Sequence, residues 1–272
     1  MSAPRVTRPR WFAALMTLTL AVTLAFLALP VLAIFLDTSP WALISSLGDS
    51  QSTDALALSL ETSTIAIAVI LAVGTPAAFM LATRSFPGRS LVTMLLELPL
   101  VLPPAVAGIG LLAALGPQGI LGGALGDAHI QLVIQTAGVV VALTFVSAPF
   151  YLRGAQSAFV AVERSYLEAS RTLGASEART FLHVAIPLAL PGLAAGLALA
   201  WGRALGEFGA TLMFAGSLQG VTQTVPLAIY DQFAENFPAV LALSAILVIV
   251  SASLLLTVKL LTGARELGRA GG

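Results

Sequence analysis

The chain contains no cysteine. That excludes a disulfide framework, a thiol nucleophile and any cysteine-ligated metal. Lysine is almost as scarce: Lys259 stands alone, and Leu260 follows it. A phosphate-binding G-x-x-x-x-G-K-[ST] loop therefore occurs nowhere in this sequence, so any ATP hydrolysis belongs to another chain. The two histidines, His129 and His183, are far apart and lack ligand spacing, and no metal site is expected. H-E-x-x-H, G-x-S-x-G and clustered acid–base sets are missing too, which argues against a membrane-embedded enzyme. Charge itself is in short supply. Of 272 residues 10% are charged and 58% are hydrophobic, whereas a soluble domain carries about 25% charged residues. Composition makes this an integral membrane protein.

A helix needs about 20 apolar residues to cross a bilayer. Six stretches qualify, at 12–36, 57–83, 91–115, 130–152, 187–213 and 239–261. The first follows Arg5, Arg8 and Arg10 and contains Val31-Leu32-Ala33, features shared with signal peptides. Yet Trp11 to Leu36 is 26 residues without a charge, while a signal core runs about 7–15. A retained span is the expectation. The stretch 45–54 reads as an outer loop.

The arginines orient these spans. Arg5, Arg8 and Arg10 precede the first, Arg84 and Arg89 lie between the second and third, and Arg153, Arg164, Arg171 and Arg179 between the fourth and fifth. Lys259, Arg265 and Arg269 close the chain. Twelve of the thirteen basic residues thus fall on one side. The opposite loops hold Asp37, Asp49, Asp54, Glu61, Asp127, Asp231 and Glu235. The positive-inside rule places both termini and the 163–187 segment in the cytoplasm. The acidic side is either ordinary loop solvation or a rim for a basic external partner.

Two spans carry features that lipid does not tolerate freely. The third contains Glu97, Pro99, Pro103 and Pro104. Each proline removes a backbone donor and disturbs the helix before it, so this segment should face protein or a water-filled path. The fifth contains the thirteenth base, Arg203, four residues before Glu207 and so on one helix face, with Thr211 a further four along. An internal ion pair is the simpler reading of Arg203 and Glu207, and direct contact with a substrate the other. Gly192/Gly196 and Gly202/Gly206 provide small-residue spacing for close helix approach.

The charged insert between spans four and five reads Glu168-Ala169-Ser170, three residues, Gly174, nine residues, Val184-Ala185-Ile186-Pro187. It resembles the cytoplasmic coupling loop of ABC importer permeases, whose pattern is E-A-A, three residues, Gly, nine residues, I-x-L-P. Ser170, Val184 and Ile186 depart from that pattern; the spacing and the Glu, Gly and Pro anchors hold. The stretches 98–104 (LPLVLPP), 116–122 (GPQGILG), 203–211 (RALGEFGAT) and 222–230 (TQTVPLAIY) are similar to molybdate permeases. Sulfate/thiosulfate and tungstate permeases are related, and the sulfate branch tends to carry Tyr where Phe208 stands.

The resemblance implies an all-α, type I ABC importer permease fold of six transmembrane helices in a bacterial or archaeal cell membrane. It implies residues 57–262 as the permease core, after an N-terminal segment 1–56 and before a short tail 263–272. The implied function is import of molybdate, with a sulfate/thiosulfate or tungstate permease as the alternative and an ATP-independent transporter as a more distant one. The implied assembly is a homodimer with two cytoplasmic ATPase subunits and an external oxyanion-binding protein. ATP and magnesium would sit on the ATPase, and no cofactor on this chain. Glu168, Ala169, Gly174, Ile186 and Pro187 would form the coupling loop. Pro99, Pro103, Pro104, Arg203, Glu207 and Thr211 are candidates for the translocation path.

Overall fold

A computed structural model describes residues 10–270, without the side chains of Arg10, Leu47, Lys259 and 261–270. Arg5 and Arg8 lie outside the described residues, as does the end of the 263–272 tail. The chain is helical throughout its described elements: α1 (Arg10–Asp37), α2 (Pro40–Gly48), α3 (Ser50–Thr83), α4 (Arg89–Val101), α5 (Pro104–Leu115), α6 (Gly122–Asp127), α7 (Thr136–Val160), α8 (Arg164–Thr172), α9 (Glu177–Thr180), α10 (Ile186–Leu205), α11 (Gly209–Ala215), α12 (Val225–Gln232) and α13 (Phe237–Ala270). Among the described residues five helices are long and apolar enough to cross a membrane, or six when the bent pair α4 with α5 is counted as one span.

The centre is the trio α3, α7 and α10. Small residues set its spacing. A Cβ on Gly154 of α7 would lie 2.9 Å from the Gly196 Cα of α10, and one on Gly192 would lie 2.5 Å from the Ala158 Cβ. The Gly192/Gly196 spacing therefore sits at a close helix crossing, as dispersion-driven packing in lipid requires. Gly202 has no atom within 4 Å of such a Cβ, so the second pair does not pack this way. Polar contacts tie the same trio together: Tyr151 Oη to Thr75 Oγ1 at 2.7 Å, and Trp201 Nε1–H donating to Ser63 Oγ at 3.1 Å.

Helix α1 packs on α13 and keeps its apolar side chains outward, from Trp11 to Leu36. A helix apolar all round is a lipid-facing span. Its threonines satisfy themselves: the Thr17, Thr19 and Thr23 hydroxyls donate to the carbonyls of Ala14, Met16 and Thr19 at 2.8–2.9 Å.

Several boundaries differ from the sequence expectation, each for a local reason. Residues 45–54 are not a loop. Ser39 caps α2 through the Ala42 N–H at 3.1 Å, with Pro40 at the first helical position, and Asp49 caps α3 through the Ser52 N–H at 3.1 Å. Asp54 and Glu61 consequently lie on α3 rather than in an outer loop. The third span, 91–115, is broken: Leu102 and Pro103 are extended (ψ 132° and 135°), and α4 and α5 meet at 118°. Both residues precede a proline, which disfavours helix at each. Pro99 stays inside α4. The fourth span starts six residues later, at Thr136, and runs to Val160, so Arg153 is an intrahelical residue and not a loop one.

The motif 222–225 ties α12 to α3 through buried polar groups. Thr222, Gln223 and Thr224 are buried. Gln223 Nε2–H donates to Asp231 Oδ2 at 2.5 Å, its Oε1 accepts from Gln51 at 3.1 Å, and the Val225 N–H donates to Ser59 Oγ at 2.8 Å. Asp49 and Asp231 are thus engaged in local structure and are not simply solvated rim charges.

The crossing predicts a steep size dependence. Gly154→Leu should separate α7 from α10 and lower stability by at least about 3 kcal/mol, beyond ordinary overpacking. Thr75→Val, removing one interhelical hydrogen bond, should cost only about 0.6 kcal/mol. Thermal unfolding of the purified protein in detergent separates the two.

Candidate functional site

Two regions collect the residues singled out in the sequence. The first is the segment between α7 and α10. Helix α8 carries one buried side chain, Leu167, which enters the core cluster with Phe159, Val162 and Ala78. Beside it Phe79, Phe159 and Phe181 pack edge-to-face or tilted with ring centroids 4.9–6.2 Å apart. This aromatic group fixes the ends of α3 and α7 against the return of the chain.

Helix α8 then stops at Gly174, whose φ of +83° lies in the left-handed region. There the Gly174 N–H donates to the Arg171 carbonyl and the Ala175 N–H to the Ser170 carbonyl. A side chain at this position would meet open space but a strained backbone, worth about 1–2 kcal/mol. Ser176 caps α9 through the Arg179 N–H at 3.3 Å. Across the turn Ser170 and Thr180 hydroxyls meet at 3.0 Å. Glu177 bridges Arg84, at the end of α3, at 2.5 Å and Arg171 at 3.5 Å. These exposed pairs contribute little to stability; they link α8 and α9 to the end of α3.

From Glu177 the chain runs as one helix to Leu205. Residues Phe181–Ala185 form a π turn, in which the Ile186 N–H donates to the Phe181 carbonyl. Pro187 explains its position. The proline has no N–H for the carbonyl four residues back, and the wider turn moves the backbone away from its ring. Pro187 is in the first turn of α10, and that turn continues the preceding helix instead of starting a separate one.

Glu168, Ala169, Gly174 and Pro187 are exposed, and Ile186 is half-buried. The sequence reading missed Leu173, which is 88% exposed at the tip of this loop. A large apolar side chain just before the helix-stopping glycine was the available signal.

The second region is the junction of two broken helices. Helix α10 ends at Leu205, and α11 starts at Gly209. The fifth span is therefore not continuous from 187 to 213. Glu207 lies in the break rather than on the helix, yet it still meets Arg203: Nη2 and Oε2 are 2.5 Å apart, close but not aligned as a hydrogen bond. Glu207 is 1% exposed, and its Oε1 accepts the Ala210 N–H at 2.7 Å. One carboxylate thus neutralises Arg203 and satisfies a backbone donor freed by the break.

The α4–α5 break faces this one. A Cβ on Gly209 would be 2.9 Å from the Pro104 Cβ, and one on Gly108 would be 2.6 Å from the Ala210 carbonyl oxygen. The structure therefore brings Pro104, Arg203, Glu207 and Thr211 to one junction. Pro103 and Pro104 are exposed there, while Thr211 is fully buried and its hydroxyl has no protein partner. Pro99 is a turn lower on α4 and half-buried. Among the described residues no three His, Asp or Glu side chains converge on a metal-sized site.

Removing one member of the junction pair should be costly. Glu207→Ala leaves Arg203 uncompensated and the Ala210 N–H unpaired, and should destabilise by about 3 kcal/mol. Arg203→Met with Glu207→Gln, which keeps an acceptor for Ala210, should recover most of that loss in the same unfolding assay.

Residues 74–264 match the family described as binding-protein-dependent transport system inner membrane component. The chain is 42% identical over 259 residues to the molybdenum transport system permease protein ModB of Mycobacterium bovis, covering 94% of this chain and 95% of that protein. It is 36% identical over 241 residues to the probable transport system permease protein NifC of Clostridium pasteurianum, covering 88% and 84%. Its fold matches a chain of a bacterial alginate ABC transporter, solved in complex with an alginate pentasaccharide-bound periplasmic protein, at a TM-score of 0.72 and 16% identity over 92% of this chain and 93% of that one. The chain belongs to the binding-protein-dependent transport system inner membrane component family, with an all-α ABC importer permease fold.

Proposed function

We propose that this chain is the membrane-spanning subunit of an ATP-driven importer that carries molybdate into the cytoplasm. The observation that carries the reading is the 164–180 segment. It is anchored to the core by Leu167 and the phenylalanine group, and it turns Glu168, Ala169 and Leu173 outward. A surface held rigidly from below and apolar at its tip suits the cleft of a partner subunit. The identity to molybdenum permeases over nearly the whole chain supports the substrate.

In this reading two copies form a homodimer, and each binds one ATPase through its coupling loop. Both termini and that loop are cytoplasmic, as the arginine distribution favours. An external protein delivers the oxyanion on the opposite side. ATP favours one orientation of the dimer by its differential affinity for the two states, and the loop conveys the ATPase movement to α3 and α10 through Glu177 and the π turn. Oxyanion specificity rests mainly with the external protein. The neutralised Arg203–Glu207 pair suits a carrier, because an unpaired buried cation would retain a small dianion.

Two measurements test this. In cells lacking the gene, a restored copy should return uptake of trace labelled molybdate, and excess sulfate should not suppress it. Suppression by sulfate, or restoration of sulfate growth alone, moves the protein to the sulfate branch; competition by tungstate means that both ions share the path. Leu173→Asp should weaken ATPase capture in detergent by at least about 30-fold, the scale of a buried interface anchor. Gly174→Leu should abolish uptake while lowering the stability of the subunit itself only by its backbone strain. Unchanged uptake in both variants would remove the coupling role.

A further inference from the structure

Helix α4 has a polar stripe that the function above leaves unused. Arg89, Thr93 and Glu97 follow one another at four-residue intervals and so share one face. Leu91, Met94, Leu95 and Leu98 are exposed on the rest of the helix. Across from the stripe, α7 supplies Arg153 and Gln156. Arg153 Nε lies 3.5 Å from Glu97 Oε1, with 68% and 38% of the two side chains exposed. Arg89, Ser90, Thr93, Met94, Glu97 and Gln156 line an open cleft of about 610 Å³.

Depth makes the stripe informative. Arg153 is seven residues from the end of α7, about 10 Å of helix, and Glu97 is eight residues from the start of α4, about 12 Å. Arg153 therefore lies well inside a candidate span, and Glu97 faces it from the first half of the bent α4–α5 pair. Neither is buried, and an exposed ion pair at that depth does not face lipid; it faces water or protein. The cleft also has a sign. Arg89 and Glu97 line it, and Arg153 borders it as the ion-pair partner of Glu97, so Arg89 and Arg153 together outnumber Glu97 by one positive charge at the cleft and its edge. Ser90 and Gln156 supply hydrogen-bond donors beside those cations, while the Thr93 hydroxyl donates to the Arg89 carbonyl at 3.0 Å. Cations flanked by neutral donors are the chemistry that receives a hydrated tetrahedral dianion.

We propose that this cleft is a station for the oxyanion on the arginine-rich side of the membrane, where the departing dianion takes Arg153 from Glu97. The identity of the anion rests on the transport reading above. Glu97 would act by competition. It returns to Arg153 when the anion leaves, so the site does not hold its cargo.

The absence of native cysteine makes the test direct. Thr93→Cys, Gln156→Cys and Leu95→Cys are introduced singly into the chain assembled with its ATPase. Each is treated with anionic and cationic methanethiosulfonates, with rates normalised to a free thiol. The cleft positions should react about tenfold faster with the anionic reagent, a focusing effect of fixed charge. Leu95→Cys should react with neither. Adding Arg153→Gln should erase the preference, Glu97→Gln should increase it, and molybdate should slow the anionic reaction. Equal rates with both reagents, or no reaction at Thr93→Cys and Gln156→Cys, overturns the proposal. The charge preference is read without molybdate. Failed molybdate uptake alongside a retained anionic preference therefore sinks the transport reading alone, and equal rates with intact uptake sink the station alone.

Discussion

Backbone and side-chain polar groups in a bilayer must find their partners within the protein or in water held by it. This constraint organises the chain. Two helices are interrupted at membrane depth, and the interruptions face each other. At one, successive residues before prolines leave the helix and α5 restarts at Pro104. At the other, Glu207 accepts the Ala210 N–H and neutralises Arg203. Neither break would be tolerated alone against lipid. Packed together, with Gly108 and Gly209 removing the side chains that would hold them apart, they make a junction that is irregular but largely satisfied. Irregular backbone is also where a bundle can rearrange without unwinding a whole helix.

The same constraint separates two kinds of intramolecular ion pair. Glu207 is committed, because both of its oxygens have positive or donor partners and water does not reach it. Glu97 is not, because its partner Arg153 is open and the pair is wider. The first pair is structural and resists exchange. The second can be traded for another ion at little cost, since a solvated pair is weak. A path for an anion is better served by the second kind.

The sequence made some of this legible. Apolar run length located the spans, and the spacing of Glu168, Gly174 and Pro187 located the loop, because helix stops and proline positions have local causes. It also pointed to Arg203 with Glu207, since four residues is a helical contact. It did not reveal that Glu207 sits beyond the helix end, because the Gly206 to Gly209 break is stabilised by α5, which is distant in sequence. Arg153 looked like a loop residue for a similar reason. Charge argues against a span, and only the tertiary structure shows that Arg153 lies within α7 with its side chain open beside Glu97 of α4. Leu173 was overlooked because an exposed leucine has meaning only once the rest of its helix is known to be anchored.

The two regions are joined by α10. Its first turn carries Pro187 and the π turn behind it, and its last carries Arg203. A displacement of the 164–180 segment would enter α10 at the π turn, where the helix is wider and one hydrogen-bond register is already changed. Further along, Gly192 and Gly196 hold α10 against α7 so closely that the two must move together or slide along one another. Either motion reaches Arg153 on α7 and Glu207 beyond α10. The loop, the exchangeable pair and the broken junction thus lie on two rigid elements in direct contact, and a movement at the loop has a mechanical route to both ion pairs without any side chain crossing lipid.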